Sequence, residues 1–184
     1  MTPAPYQSGV VGIGARALHT TRRALIDDLG EAGEARLQEI GYAAGEEVYH
    51  SFCEWLRQAA GVSDPGELDA DALGEVLSGF FNLLGWGSLS LERVGRSGLE
   101  ITSENWAEAD PANQAEFPTC YFTTGMLASF LTCLAGGNAF AIMELECRSL
   151  GDTGCRFLAG SPETLEAVYE ALSEERDYRT ILEA

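Results

Sequence analysis

Three of the five cysteines in this chain fall in one stretch, 120–157, and they restrict its folding more than any other feature. The stretch reads C-Y-F-T-T-G at 120–125, E-L-E-C at 144–147 and G-D-T-G-C-R-F at 151–157. Cys120, Glu144, Cys147 and Cys155 are separated by 24, 3 and 8 residues. Three thiolates and one carboxylate form a tetrahedral set of the kind Zn²⁺ takes. The alternative is three thiols buried as small apolar side chains, a common fate of free cysteine. A shared ion also carries a geometric demand. Residues three apart on a regular strand point to opposite faces. Glu144 and Cys147 therefore meet one ion only where the strand bends, bulges or ends between them. Glu146 faces the same obstacle, so parity does not choose between the two glutamates.

All eleven basic residues are arginines, and against 29 acidic residues they leave a formal net charge of −18. That sign argues against nucleic acid or an anionic membrane surface as the main partner. The lack of lysine excludes a Schiff-base or P-loop lysine mechanism. No window approaches about 18 uninterrupted apolar residues, so no membrane span is expected. The opening residues, MTPAPYQSGVVGIGAR, lack the basic start and apolar run of a secretory signal. A reducing cytoplasm is the expected location, where clustered cysteines serve metal or redox chemistry rather than disulfides.

Along the chain, residues 1–15 are expected to be a mobile lead-in, and residues 16–184 a single domain. Gly9, Gly12 and Gly14 lack the preceding strand and following G-K-[ST] of a nucleotide loop. Leu18, Leu25 and Leu29 predict a helix over 16–29, ended by Gly30. A second helix is predicted over 34–60, interrupted or bent near Gly41 and Gly45. Its later half carries the stripe Val48, Phe52, Leu56 and Ala59, widened by Tyr49 and Trp55. A turn and helix start at 63–73 lead into an apolar face of Leu73, Val76, Leu77, Phe80, Phe81 and Leu84, stopped by G-W-G at 85–87. The period then changes to 2, and G-R-S-G at 95–98 makes a hairpin. A polar loop over 104–118 carries Trp106. A helix at 119–135, a strand at 138–148, a partner strand at 154–159 and a helix started by Ser161-Pro162 complete the order. The order implies an α+β fold: one antiparallel sheet of about four strands covered by helices.

The three cysteine motifs, written C-Y-x-x-x-G, E-x-x-C and G-D-x-G-C-R-F, together resemble the vinyl-4-reductase domain of the TRAPP-like superfamily. G-E-A-R-L-Q-E-I-G-Y-A-A-G at 33–45 and L-L-G-W-G at 83–87 extend the likeness to roughly residues 16–172. The family includes bacteriochlorophyll 4-vinyl reductase-like proteins, archaeal hydrocarbon-binding proteins and the sensor domains of aromatic-responsive activators. The resemblance implies helices on a twisted antiparallel sheet, often as a homodimer. It also implies a structural zinc, held in the aromatic sensors by Cys, Glu, Cys and Cys. Those ligands fall on Cys120, Glu144, Cys147 and Cys155, which selects Glu144 over Glu146. No motif anchors the family's pocket residues on this chain. The ATPase and DNA-binding regions fused to the aromatic sensors have no counterpart in these 184 residues.

These readings lead to a zinc-stabilised small-molecule-binding module, a sensor or carrier for an apolar, aromatic or tetrapyrrole ligand, with a signalling or biosynthetic partner protein. Tyr49, Phe52, Trp55, Phe81, Trp86 and Trp106 are candidate pocket residues, with core packing as the alternative. Two other readings stay open: an enzyme or accessory protein in (bacterio)chlorophyll 4-vinyl reduction, and a structural assembly module. The sequence gives the enzymatic reading little support. It shows no nicotinamide or flavin fingerprint and no Ser/His/Asp arrangement. His19 and His50 are expected at helix surfaces or core edges, and Cys53 and Cys133 in the core. No catalytic residue is assigned.

Overall fold

The computed structural model describes residues 9–112 and 114–183. Most of the expected lead-in, residues 1–8, lies outside the described residues.

Glycines on the longest helix, α2 (Glu31–Ala60), decide how the helices pack. The helix runs unbroken through Gly41 and Gly45, where the sequence predicts an interruption or bend. Close approach is their use instead. A Cβ on Gly41 would strike the Phe122 carbonyl, and one on Gly45 the Met126 carbonyl, both in α4 (Tyr121–Leu134). Gly125 of α4 answers against the Gln38 carbonyl of α2. Gly33 likewise admits the Leu25 carbonyl of α1 (Ala15–Leu29). Because Gly41 meets Phe122 and Gly45 meets Met126, α2 and α4 run in the same direction. Each interior glycine costs a helix about 1 kcal/mol relative to alanine. The dispersion contact of two backbones brought together opposes that cost.

The four strands are β1 (Ser90–Val94), β2 (Gly98–Ser103), β3 (Ala141–Glu146) and β4 (Cys155–Gly160). They form one antiparallel sheet in the order β1-β2-β4-β3, with Leu91 opposite Ile101 and Ile101 opposite Phe157. This is the α+β arrangement the pattern predicts. The connection from β2 to β3 carries α4 across the sheet.

Alternation along β4 sorts two cores. Phe157 and Ala159 face the main core with α2, α4 and α3 (Ala70–Leu83), while Leu158 faces a smaller cluster with Leu165 and Val168 of α5 (Pro162–Ser173). In the main core Phe52 packs on Phe80 at 5.3 Å between ring centres, Phe81 on Phe130 at 5.5 Å and Phe81 on Trp106 at 5.7 Å. Two predicted helix starts are made as the chemistry requires. Asp69 caps α3 by accepting from the Ala72 N–H, and Ser161 caps α5 by accepting from the Thr164 N–H, with Pro162 next in the chain.

The last residues do not simply extend α5. A turn at Glu175, with φ of 56°, leads to the short helix α6 (Arg179–Leu182). Leu182 is fully buried, and its carbonyl accepts from the N–H groups of Arg96 at 2.6 Å and Ser97 at 3.3 Å. The chain end thus docks on the first hairpin, where Gly95 and Gly98 leave the room. No described helix is long and apolar enough to cross a membrane.

Candidate metal centre and apolar pocket

Three elements converge on the cysteines. Cys120 stands at the start of α4, Cys147 follows the end of β3 and Cys155 opens β4. One donor atom from each of Cys120, Glu144, Cys147 and Cys155 lies within 4.8 Å of the others. The sulfurs of Cys120 and Cys147 are 3.9 Å apart. A tetrahedral ion with Zn–S bonds of about 2.3 Å holds its sulfurs about 3.8 Å apart.

The strand supplies the irregularity that the spacing demands. Ala141 to Glu144 pair in step with Gly160 to Phe157, and then Glu146 pairs with Arg156. The extra residue between them is a β-bulge at Leu145, and the strand ends one residue later. Glu144 therefore joins the cysteines. Glu146 turns to Arg156, at 2.6 Å, which also holds Glu100 at 2.7 Å and the Tyr178 hydroxyl at 3.0 Å.

Glu144 uses one oxygen within the protein: Oε2 accepts the Cys120 N–H at 2.8 Å. Its Oε1 is buried with no hydrogen-bond partner. A buried carboxylate oxygen without a donor is costly. Burial, with Cys147 beside it, pushes the Glu144 carboxyl up to about 9. Burial also raises the Cys120 thiol well above its ordinary value. Hydrogen bonds from the Cys120 and Cys155 thiols hold Cys147 far below the usual thiol range. The donor types, their spacing and the orphaned oxygen suit a tetrahedral cation of the zinc kind.

A second set of side chains fixes these residues in place. The Thr119 hydroxyl donates to Ser149 Oγ at 2.8 Å and lies 3.7 Å from Cys147 Sγ. Asp152 accepts the Cys147 N–H at 2.9 Å. Arg22, only 3% exposed, reaches across from α1 to the Glu108 carbonyl at 2.7 Å and to Thr119 Oγ1 at 3.1 Å. Glu108 is fully buried and caps α4, accepting the N–H groups of Phe122 at 2.9 Å and Thr123 at 2.7 Å. The Thr123 hydroxyl also donates to Glu108 and accepts from Trp106 Nε1 at 2.7 Å. Burial pushes the Glu108 carboxyl up to about 7, against the pull of these bonds. Neither Arg22 nor Glu108 stands out in the sequence. Arg22 is one of two adjacent arginines beside a leucine stripe, and Glu108 acts on a helix start 14 residues further on, beyond the reach of a capping pattern.

An apolar pocket of about 290 Å³ lies beside this network. Val10, Leu18, Val48, Trp86, Phe122 and Met126 supply much of its wall, and Glu47 is its one ionisable lining residue. Trp86 stacks on Phe122 at 5.6 Å and 6°. Of the six aromatics expected at a pocket, Trp86 is on this wall. Phe52, Phe81 and Trp106 are buried in the main core, with Tyr49 and Trp55 packed against it. Two links join the pocket to the cysteine cluster. Phe122 is two residues beyond Cys120, and the lining residue Ala107 precedes Glu108.

The other histidine and cysteine expectations concern packing. His19 sits at a core edge, its Nε2 2.8 Å from the Ala107 carbonyl and its Nδ1 3.7 Å from Asp110. Cys53 and Cys133 are half-buried.

A four-stranded antiparallel sheet flanked by helices, with α4 crossing between its hairpins, is the TRAPP-like α+β architecture. Residues 99–161 match the family model of the vinyl-4-reductase domain, so the likeness carried by the cysteine motifs holds over that stretch. Three solved structures share the fold. The phenol-responsive sensory domain of the transcription activator PoxR, crystallised with phenol, matches with a TM-score of 0.68 at 20% identity, covering 89% of this chain and 82% of that one. A vinyl-4-reductase family protein from Methanocaldococcus jannaschii matches with a TM-score of 0.53 at 20% identity, covering 82% and 83%. Trafficking protein particle complex subunit 3 from Naegleria fowleri, covalently bound to palmitic acid, matches with a TM-score of 0.57 at 15% identity, covering 79% and 93%. No curated protein matches the chain in sequence.

Proposed function

We propose that this chain is a zinc-stapled small-molecule-binding module, acting as a sensor or carrier for a compact apolar or aromatic ligand. The observation that carries the reading is the apolar pocket built on α4, the helix whose first turn belongs to the four-donor cluster. Cys120, Glu144, Cys147 and Cys155 would hold the zinc. With four protein donors the ion has no open position, so it would tie the start of α4 to the end of β3 and supply no reaction chemistry.

The pocket wall favours binding over catalysis, because no His, Cys or Tyr is among its described residues. It also offers no thiol for an acyl thioester. A cavity of about 150 Å³ accepts benzene. The 290 Å³ here suits one or two rings better than the four linked pyrroles of a tetrapyrrole. Sensory use by a homodimer, with a partner protein reading the ligand state, is the form the resemblance implies.

Elemental analysis of the purified chain is expected to give about one zinc per molecule, and Cys147→Ser to lower it sharply. Equal zinc in both proteins would remove the ligand assignment. Calorimetry against small aromatic compounds is expected to show saturable binding, and its absence would remove the pocket reading.

A further inference from the structure

The pocket's polarity is unusually one-sided. Its lining comprises apolar side chains, glycines and a single charged group, the carboxylate of Glu47. Glu47 is exposed and adjoins the lining residue Val48 on α2, which places it at the rim. The extended segment 9–14 passes beside its stem, since a Cβ on Gly9 would lie 3.2 Å from Glu47 Cγ. No described cation pairs with Glu47, and no Arg or His lines the wall to receive an acidic ligand. Deeper in, Trp86 and Phe122 present aromatic faces. Such faces attract cations through the ring quadrupole. The net charge of −18 draws cations toward the whole molecule.

We infer that the pocket selects an aromatic ammonium ion: one or two rings against Trp86 and Phe122, with a protonated amine facing Glu47. The inference rests on the pocket reading above and narrows its ligand from apolar compounds in general to lipophilic amines. Glu47 supplies the charge preference, and the apolar wall supplies the affinity for the ring. The carboxylate stands in water, so the preference is modest. An exposed ion pair and a cation–π contact together give about tenfold.

The test uses the full chain at pH 7 and three probes that share a ring and differ in charge: 2-phenylethylamine, 2-phenylethanol and phenylacetate. Binding is followed by calorimetry and tryptophan fluorescence. The amine is expected to bind about tenfold tighter than the alcohol, and phenylacetate weakest. Added salt narrows the gap, because exposed charges are screened. Glu47→Gln keeps shape and is expected to reduce the amine-to-alcohol ratio to about threefold while leaving alcohol affinity unchanged. Equal binding of amine and alcohol overturns the inference but leaves the pocket standing. So does tightest binding by phenylacetate, or an equal loss of both neutral and cationic probes in Glu47→Gln. Failure of all three probes to bind overturns both readings.

Discussion

Replacing Gly41 with alanine tests whether backbone contact sets the distance between α2 and α4. The new Cβ would meet the Phe122 carbonyl and the Met126 N–H, both main-chain groups inside a helix, so no side chain can rotate away. Overpacking a tight contact costs about 1–3 kcal/mol, and two rigid partners put this site at the upper end. Alanine returns about 1 kcal/mol of helix propensity. The net loss is about 2 kcal/mol, which for a chain of this size lowers the melting temperature by about 4–8 °C. Gly74 of α3 is the matched control. A Cβ there would lie 3.7 Å from Leu91 Cδ1, an ordinary contact. Gly74→Ala is expected to raise stability by about 0.5–1 kcal/mol, or about 1–4 °C. Thermal and urea denaturation of both variants decide the matter. A Gly41→Ala protein that melts at or above wild type refutes the close-packing argument. A Gly74→Ala protein that falls equally would show that alanine is harmful for some other reason.

Two further perturbations address the centre. Glu108 has a carboxyl raised from its ordinary 4.5 to about 7. Its contribution to stability is therefore full below about pH 4.5 and is lost as pH rises through 7, up to about 3 kcal/mol. The stability of wild type relative to Glu108→Gln should fall by that order between pH 4.5 and 8 in denaturant titrations, and a difference that rises with pH contradicts the assignment. At the cysteines, a zinc competition assay on Glu144→Gln should show affinity down by more than about 100-fold, beyond the loss typical of an outer partner. Glu146→Gln should bind zinc as wild type does and cost at most about 1 kcal/mol of stability, since that side chain is half exposed beside Arg156.

The element order was legible because each element has local chemistry: leucine stripes for helices, G-R-S-G for the hairpin, Ser161-Pro162 for the last helix. What remained hidden was contact between elements. Gly41 and Gly45 read as breakers, since a lone chain cannot show that α4 needs their bare backbone. The aromatics of α2 and α3 read equally well as core or pocket. The structure packs Phe52, Phe81 and Trp106 together and makes the pocket wall partly from segment 9–14, which the sequence marks only by its glycines and small apolar residues. Glu108 and Arg22 carry no local signal because their partners lie far along the chain.

The strand E-L-E-C shows how one inserted residue can divide two like side chains between two tasks. In an unbroken strand Glu144 and Glu146 would share a face and Cys147 would point away from both. Ile142 packs on the main core and Met143 on the smaller one, so Glu144 starts on the main-core side. Leu145 then joins the smaller core, and the bulge leaves Glu146 on that same side, paired with Arg156. Cys147 returns to the main core, on the side of Glu144. The bulge thus brings a carboxylate and a thiol three residues apart into one cluster, and it sends the competing carboxylate to an arginine on the opposite face. That separation is why Glu144→Gln and Glu146→Gln, chemically the same change two residues apart, should part completely in a zinc assay.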